Sequence, residues 1–115
     1  MNGPSTDPPQ PQIEIDRIIH EPARLIIMAN LYIVDEADFA YLTKKTGLTH
    51  GNLNTHMARL HAGKYISVEK MFVENRPRTV YRITERGRVA IRQYRQQVGN
   101  LLAHIDTPAP TEGRE

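Results

Sequence analysis

Apolar residues fall at helical spacing in the first half of the chain, at strand spacing after Gly63, and at helical spacing again near the end. After a short lead-in, "IEIDRIIH", Pro22 opens the stretch "PARLIIMANLYIV". A proline suits the first turn of a helix, where its missing N–H is not needed. This stretch is apolar nearly all round, so the helix is expected to be buried on more than one side. "VDEAD" breaks the pattern, and Asp38 is placed to cap a second helix, "FAYLTKKT". Gly47 is suited to end that helix in the left-handed conformation, and Thr49 to cap the next. In the third helix Leu53, Met57 and Leu60 stand at i, i+4 and i+7, enough for one buried stripe. Two helices joined by about three residues including a glycine make a helix-turn-helix.

Beyond Gly63, "YISVEKMFV" and "TVYRIT" are rich in β-branched and aromatic residues and read as a hairpin, with "ENRPR" between them. Pro77 lacks a donor for a central ladder and is expected at the hairpin tip, flanked by Arg76 and Arg78. Thr84 is positioned to cap a long last helix, from about Glu85 to Ile105. Within it Ile91, Tyr94, Val98, Leu101 and Ile105 are spaced 3, 4, 3 and 4, as in a coiled-coil seam. Past Val98 the seam outruns a core this small, so a second copy of the chain is expected to cover it. The alternative is that the seam folds back on its own domain.

Met1 to Gln12 holds four prolines, and "DTPAPTEGRE", Asp106 to Glu115, is similarly poor in apolar residues; both are expected to be disordered. The ordered domain is then Ile13 to Ile105, mainly α with a small β-hairpin, and 115 residues suffice for one domain. The absence of cysteine excludes disulfides and thiolate metal sites. No basic segment followed by an apolar run opens the chain, and no apolar run approaches the ~20 residues that cross a bilayer. A cytoplasmic protein without a membrane partner is expected.

Charge changes the picture. Residues 44–95 contain twelve Lys/Arg and three Asp/Glu, a balance of +9, while the remainder of the chain carries −7. Such asymmetry is the footprint of a nucleic-acid surface. The outer face of the third helix fits it: His50, Gly51, Asn52, Asn54, Thr55 and Arg59 include hydrogen-bonding types and no acid. An α-helix fits the major groove, where Asn pairs with adenine and a Thr methyl touches thymine. Small residues such as Gly51 and Ala58 allow close approach. Arg76 and Arg78 on a projecting loop suit the minor groove, where the negative potential is strongest. Lys44 and Lys45, with Thr49, are candidate backbone contacts, which position without reading sequence. Arg82 either joins them or pairs with Glu69 across the hairpin.

The stretches "HEPARLIIMANL", "DFAYLTKKTGLTHGNLNTHMARLHAGKYISVEK" and "RPRTVYRITERGR" resemble winged-helix transcriptional regulators of the MarR/ArsR type, over roughly Asp16 to Val98. The resemblance implies a winged helix-turn-helix that binds double-stranded DNA as a homodimeric regulator. It also implies that any small-molecule effector acts between the DNA-binding and dimerisation parts; no residue identifies one. The different-class alternative is a winged-helix module that docks an acidic protein partner on the same surface.

Neither metal nor catalysis is expected. His20, His50, His56, His61 and His104 include no i,i+4 pair, and His56 points to the side of the core as a packed residue. The only serines are Ser5 and Ser67, no glycine-rich phosphate loop exists, and capping accounts for the acidic run "DEAD". No cofactor is expected, and the protein is read as a non-enzyme.

Overall fold

A computed structural model describes residues 14–106. The segments expected to be disordered, Met1 to Gln12 and Asp106 to Glu115, lie outside the described residues apart from Asp106, the last residue of a helix. The order is α1 (Pro22–Val34), β1 (Glu36–Asp38), α2 (Phe39–Thr46), α3 (His50–Ala62), β2 (Ile66–Val73), β3 (Arg76–Ile83) and α4 (Glu85–Asp106). The strands form one antiparallel sheet in the order β1-β3-β2.

Local chemistry sets most boundaries. Pro22 begins α1, and the Glu21 carboxylate caps it by accepting from the Ala23 N–H. Asp38 Oδ1 accepts from Tyr41 N at 2.8 Å to start α2, and Gly47, with φ 71°, ends it. Thr49 Oγ1 accepts from Asn52 N at 3.1 Å to start α3, and Thr84 Oγ1 accepts from Gly87 N at 3.0 Å to start α4. Each cap satisfies an N–H that the first helical turn leaves free.

The core gathers Ile19 from the lead-in, Ile27, Met28 and Leu31 from α1, and Leu42 from α2. The stripe Leu53, Met57 and Leu60 joins it from α3, with Ile66, Tyr81 and Ile83 from the sheet. Gly87 shows why α4 docks where it does. A Cβ there would lie 2.2 Å from the Tyr65 carbonyl oxygen, which itself accepts from Thr84 N at 3.0 Å. Only a glycine lets the two backbones meet this closely.

Four expectations need correction. "VDEAD" is more than a break: Glu36–Asp38 is a third strand, registered with Val80 to Arg82 of β3. The hairpin tip is Glu74–Asn75, both with positive φ (53° and 63°), a two-residue turn matched to strand twist. Arg76, Pro77 and Arg78 therefore lie inside β3. Pro77 is tolerated because β1 pairs only as far as Val80, leaving the outer side of β3 without a partner strand at that point. Third, α1 is buried on one side only: Ile26 and Ile33 stay exposed, Ile33 at 80%. Fourth, the α4 seam splits. Tyr94 is buried in the domain's own core with its hydroxyl 2.9 Å from His20 Nδ1, and Ile91 and Val98 pack against that core. Leu101 is half-buried, and Ile105 remains 73% exposed.

Candidate nucleic-acid interface

The core stripe of α3 faces inward, which turns Gly51, Asn52, Asn54, Thr55 and Arg59 to solvent. His50 is also exposed but leans edge-on against Phe39, with ring centroids 5.2 Å apart. Between Asp38 and Glu69 the chain has no acidic residue, so α2 after its cap and all of α3 contribute no carboxylate to this surface. The Thr55 hydroxyl donates to Gly51 O at 3.0 Å. That leaves its methyl and the acceptor lone pairs of its oxygen to meet a partner. Nothing lies within 4 Å of a Cβ built on Gly51, so the fold itself does not require a glycine there.

The flank of α3 is tied to α1. His56 Nδ1 sits 3.3 Å from the Glu21 carboxylate and 3.2 Å from the Arg24 guanidinium, in keeping with a packed role. Arg24 Nε also donates to the Ile18 carbonyl, so one cluster fixes the lead-in, α1 and α3 together. Lys44 and Lys45 are exposed in the last turn of α2, where positive charge complements the helix dipole. Lys45 also lies over the Tyr41 ring, 5.6 Å from its centroid. Thr49 Oγ1 accepts the α3 cap bond, which leaves its O–H proton available to donate.

The acidic run does more than cap. Asp38 Oδ2 lies 3.3 Å from Arg78 Nε, and Glu36 lies 2.5 Å from Arg82 Nη2. Asp35 pairs with Arg88. Arg82, opposite Ser67 in register, pairs with Glu36 rather than with Glu69, the structural alternative that the sequence offered. Of the two wing arginines, Arg76 is exposed with no ion pair among the described residues, whereas Arg78 is half-committed to Asp38. The wing also carries Phe72, 76% exposed near its tip, and Lys70, two residues before it, neither of which stands out by residue type alone. The period-2 alternation from buried Ile66 through Val68 carried that information.

Among the described residues no group of three or more His, Cys, Asp or Glu is placed to hold a metal, and no helix is long and apolar enough to cross a membrane.

Comparisons with known proteins agree with this architecture. An uncharacterised protein of Methanocaldococcus jannaschii is 32% identical over 90 residues, covering 78% of this chain and 98% of that protein. The solved transcriptional regulator homologue of Pyrococcus horikoshii OT3 superimposes with a TM-score of 0.73 at 30% identity, over 78% of this chain and 89% of that one. NadR, solved in complex with 4-hydroxyphenylacetate, shares the fold at a TM-score of 0.61 and 17% identity, over 77% of this chain and 65% of that one. The sequence profile described as "Winged helix DNA-binding domain" matches residues 23–102. The chain therefore belongs to the winged helix DNA-binding domain family and is a winged-helix transcriptional regulator.

Proposed function

We propose that the protein binds double-stranded DNA sequence-specifically as a homodimer, with α3 in the major groove and the wing in the minor groove. The observation that carries this reading is the exposed, acid-free face of α3 beside a cationic hairpin. Gly51, Asn52, Asn54, Thr55 and Arg59, with His50 at the edge, are the base-reading set. Lys44, Lys45 and the backbone around Thr49 hold phosphates, and Arg76 approaches the minor groove.

The dimer is supported by apolar surface that the chain does not cover. Ile26 and Ile33 project from α1, Leu102 and Ile105 from α4, and a groove of about 820 Å³ between the two helices is lined by Leu25, Ala29, Ile91, Val98 and Leu102. Exposed apolar side chains on two neighbouring helices, with Arg92, Arg95, Gln96 and Asn100 also lining the groove, suit burial against a second copy of the same chain. The interface thus uses Ile105 and Leu102 with the outer face of α1, while Ile91, Tyr94 and Val98 serve mainly the chain's own core.

Selection from a random duplex library tests the reading. A pseudo-palindrome with half-sites about 10 base pairs apart is expected, because two α3 helices related by a twofold axis meet successive major grooves on one side of the duplex. Ile33→Asp combined with Ile105→Asp should give a folded monomer that binds far more weakly. Sedimentation of the unaltered protein as a monomer at tens of micromolar would remove the dimer. Duplex binding at low salt no stronger than that of an acidic protein would remove the DNA reading and leave docking to an acidic protein partner.

A further inference from the structure

Side chains alternate between the two faces of a strand. On β2, Ile66 and Val68 turn towards the core, so Lys70 and Phe72 share their face; on β3, Ile83 and Tyr81 do the same for Thr79 and Pro77. The register places Lys70 opposite Thr79 and Phe72 opposite Pro77. Where the core ends, this face continues outward and looks across open space at α3. The cleft measures about 490 Å³, with Asn54, Ala58 and His61 on the helix wall and Lys70, Pro77 and Thr79 on the wing wall. Asn54, Ala58 and His61 lie at i, i+4 and i+7, a stripe beside the base-reading face. Arg76 and Arg78, by the same alternation, belong to the opposite face of the hairpin. The cation that the wing turns towards α3 is therefore Lys70.

We propose that this cleft seats a backbone phosphate of the DNA strand that runs between the groove entered by α3 and the groove entered by the wing, with Lys70 as its principal ligand. The inference rests on the DNA-binding reading above. If two elements of one protein enter adjacent grooves, the strand separating those grooves must pass between them. The cleft lies between α3 and the wing, and donors ring it above an apolar floor of Phe39, Met57, Val68 and Tyr81. A phosphodiester offers acceptors only. The Lys70 ammonium, the Thr79 hydroxyl, the Asn54 amide and the His61 imidazole all supply donors, and no carboxylate lines the space. Lys70 makes no ion pair among the described residues, in contrast to Arg78 and Arg82, so its charge is free for a phosphate. Ala58 and Pro77 keep the walls small and compact. Asn54 then stands between the two tasks, reaching a base edge or the phosphate beside it.

The test uses the full chain and its selected duplex, with Lys70→Gln, Thr79→Val and Arg78→Gln, and a series of duplexes each carrying one neutral methylphosphonate. Lys70→Gln should make the slope of log K against log salt shallower by about 0.9 while leaving the base preference unchanged. Arg78→Gln should change the slope less. At one backbone position the methylphosphonate should weaken the unaltered protein but cost Lys70→Gln little more, because both changes remove the same contact. An unchanged salt slope for Lys70→Gln, or additive losses at every backbone position, would overturn the phosphate site while leaving DNA binding intact. If the unaltered protein fails to bind duplex at all, the underlying reading falls and the site with it. Circular dichroism confirms that each variant is folded, as expected for exposed Lys70 and for the shape-preserving Thr79→Val.

Discussion

Gly51→Ala separates what the fold needs from what a partner needs. Gly51 is the second residue of α3, and a Cβ added there meets nothing within 4 Å. The isolated protein should therefore gain stability, because alanine loses less conformational entropy than glycine on entering a helix. The expected gain is about 0.4–1 kcal/mol, towards the lower end because the first turn is less sensitive than a helix interior. For a domain of this size, roughly 4–8 °C per kcal/mol raises Tm by a few degrees. Binding should move the other way. In the proposed complex the first turns of α3 lie nearest the bases, and an added methyl would hold the helix away from the groove floor. Neighbouring base contacts, each worth about 1–3 kcal/mol of discrimination, would lengthen together, so affinity for the selected site should fall at least about tenfold. Thermal melting and fluorescence anisotropy on the same preparation read the two effects. If Gly51→Ala is stabilised and binds as tightly as its parent, the N-terminal turn of α3 does not face DNA. If it is destabilised, the open space around Gly51 is not what the protein presents.

Gly87→Ala makes the opposite case: its Cβ would overlap the Tyr65 carbonyl, so urea denaturation should show a loss of about 1–3 kcal/mol, with the midpoint lowered. Tyr65 supplies a pH test. Burial first, and then its hydrogen bond to Asp16, pushes its phenol up to about 12 from the usual 10. The neutral phenol is the form the fold favours, so this contribution is complete below pH 10 and is lost as pH rises through about 12. Tyr65→Phe should be less stable near neutrality by about 1 kcal/mol, the worth of a hydrogen bond, yet show a flatter loss of stability between pH 10 and 12; an unchanged alkaline profile would refute the assignment.

Much of the fold could be read locally. Asp38, Thr49 and Thr84 cap helices through bonds to N–H groups three residues ahead, and Gly47 turns the chain within its own turn. Interactions of that range depend on neighbouring residues alone, so residue type and spacing suffice to predict them. The stripe Leu53, Met57 and Leu60 likewise determines which side of α3 faces out, and so the membership of the candidate reading face.

What remained depended on contacts between residues far apart in the chain. β1 is three residues long, too short for an alternating pattern, and exists because β3 offers it a partner. By sequence Arg78 reads as a free cation and Arg82 as either free or paired with Glu69; the sheet register instead brings Asp38 and Glu36 beside them. The two-residue turn at Glu74–Asn75 lacks the glycine that usually marks it, so the sequence points to a tip at Pro77 that the structure does not form. The α4 spacing announced an apolar seam but not its cover: Tyr94 is held by His20, more than seventy residues away in the chain, while Ile105 is left to solvent. Periodicity fixes which face of an element is apolar. Which other surface meets that face is settled only when the elements dock, because burial is a property of the packed pair and not of either segment alone.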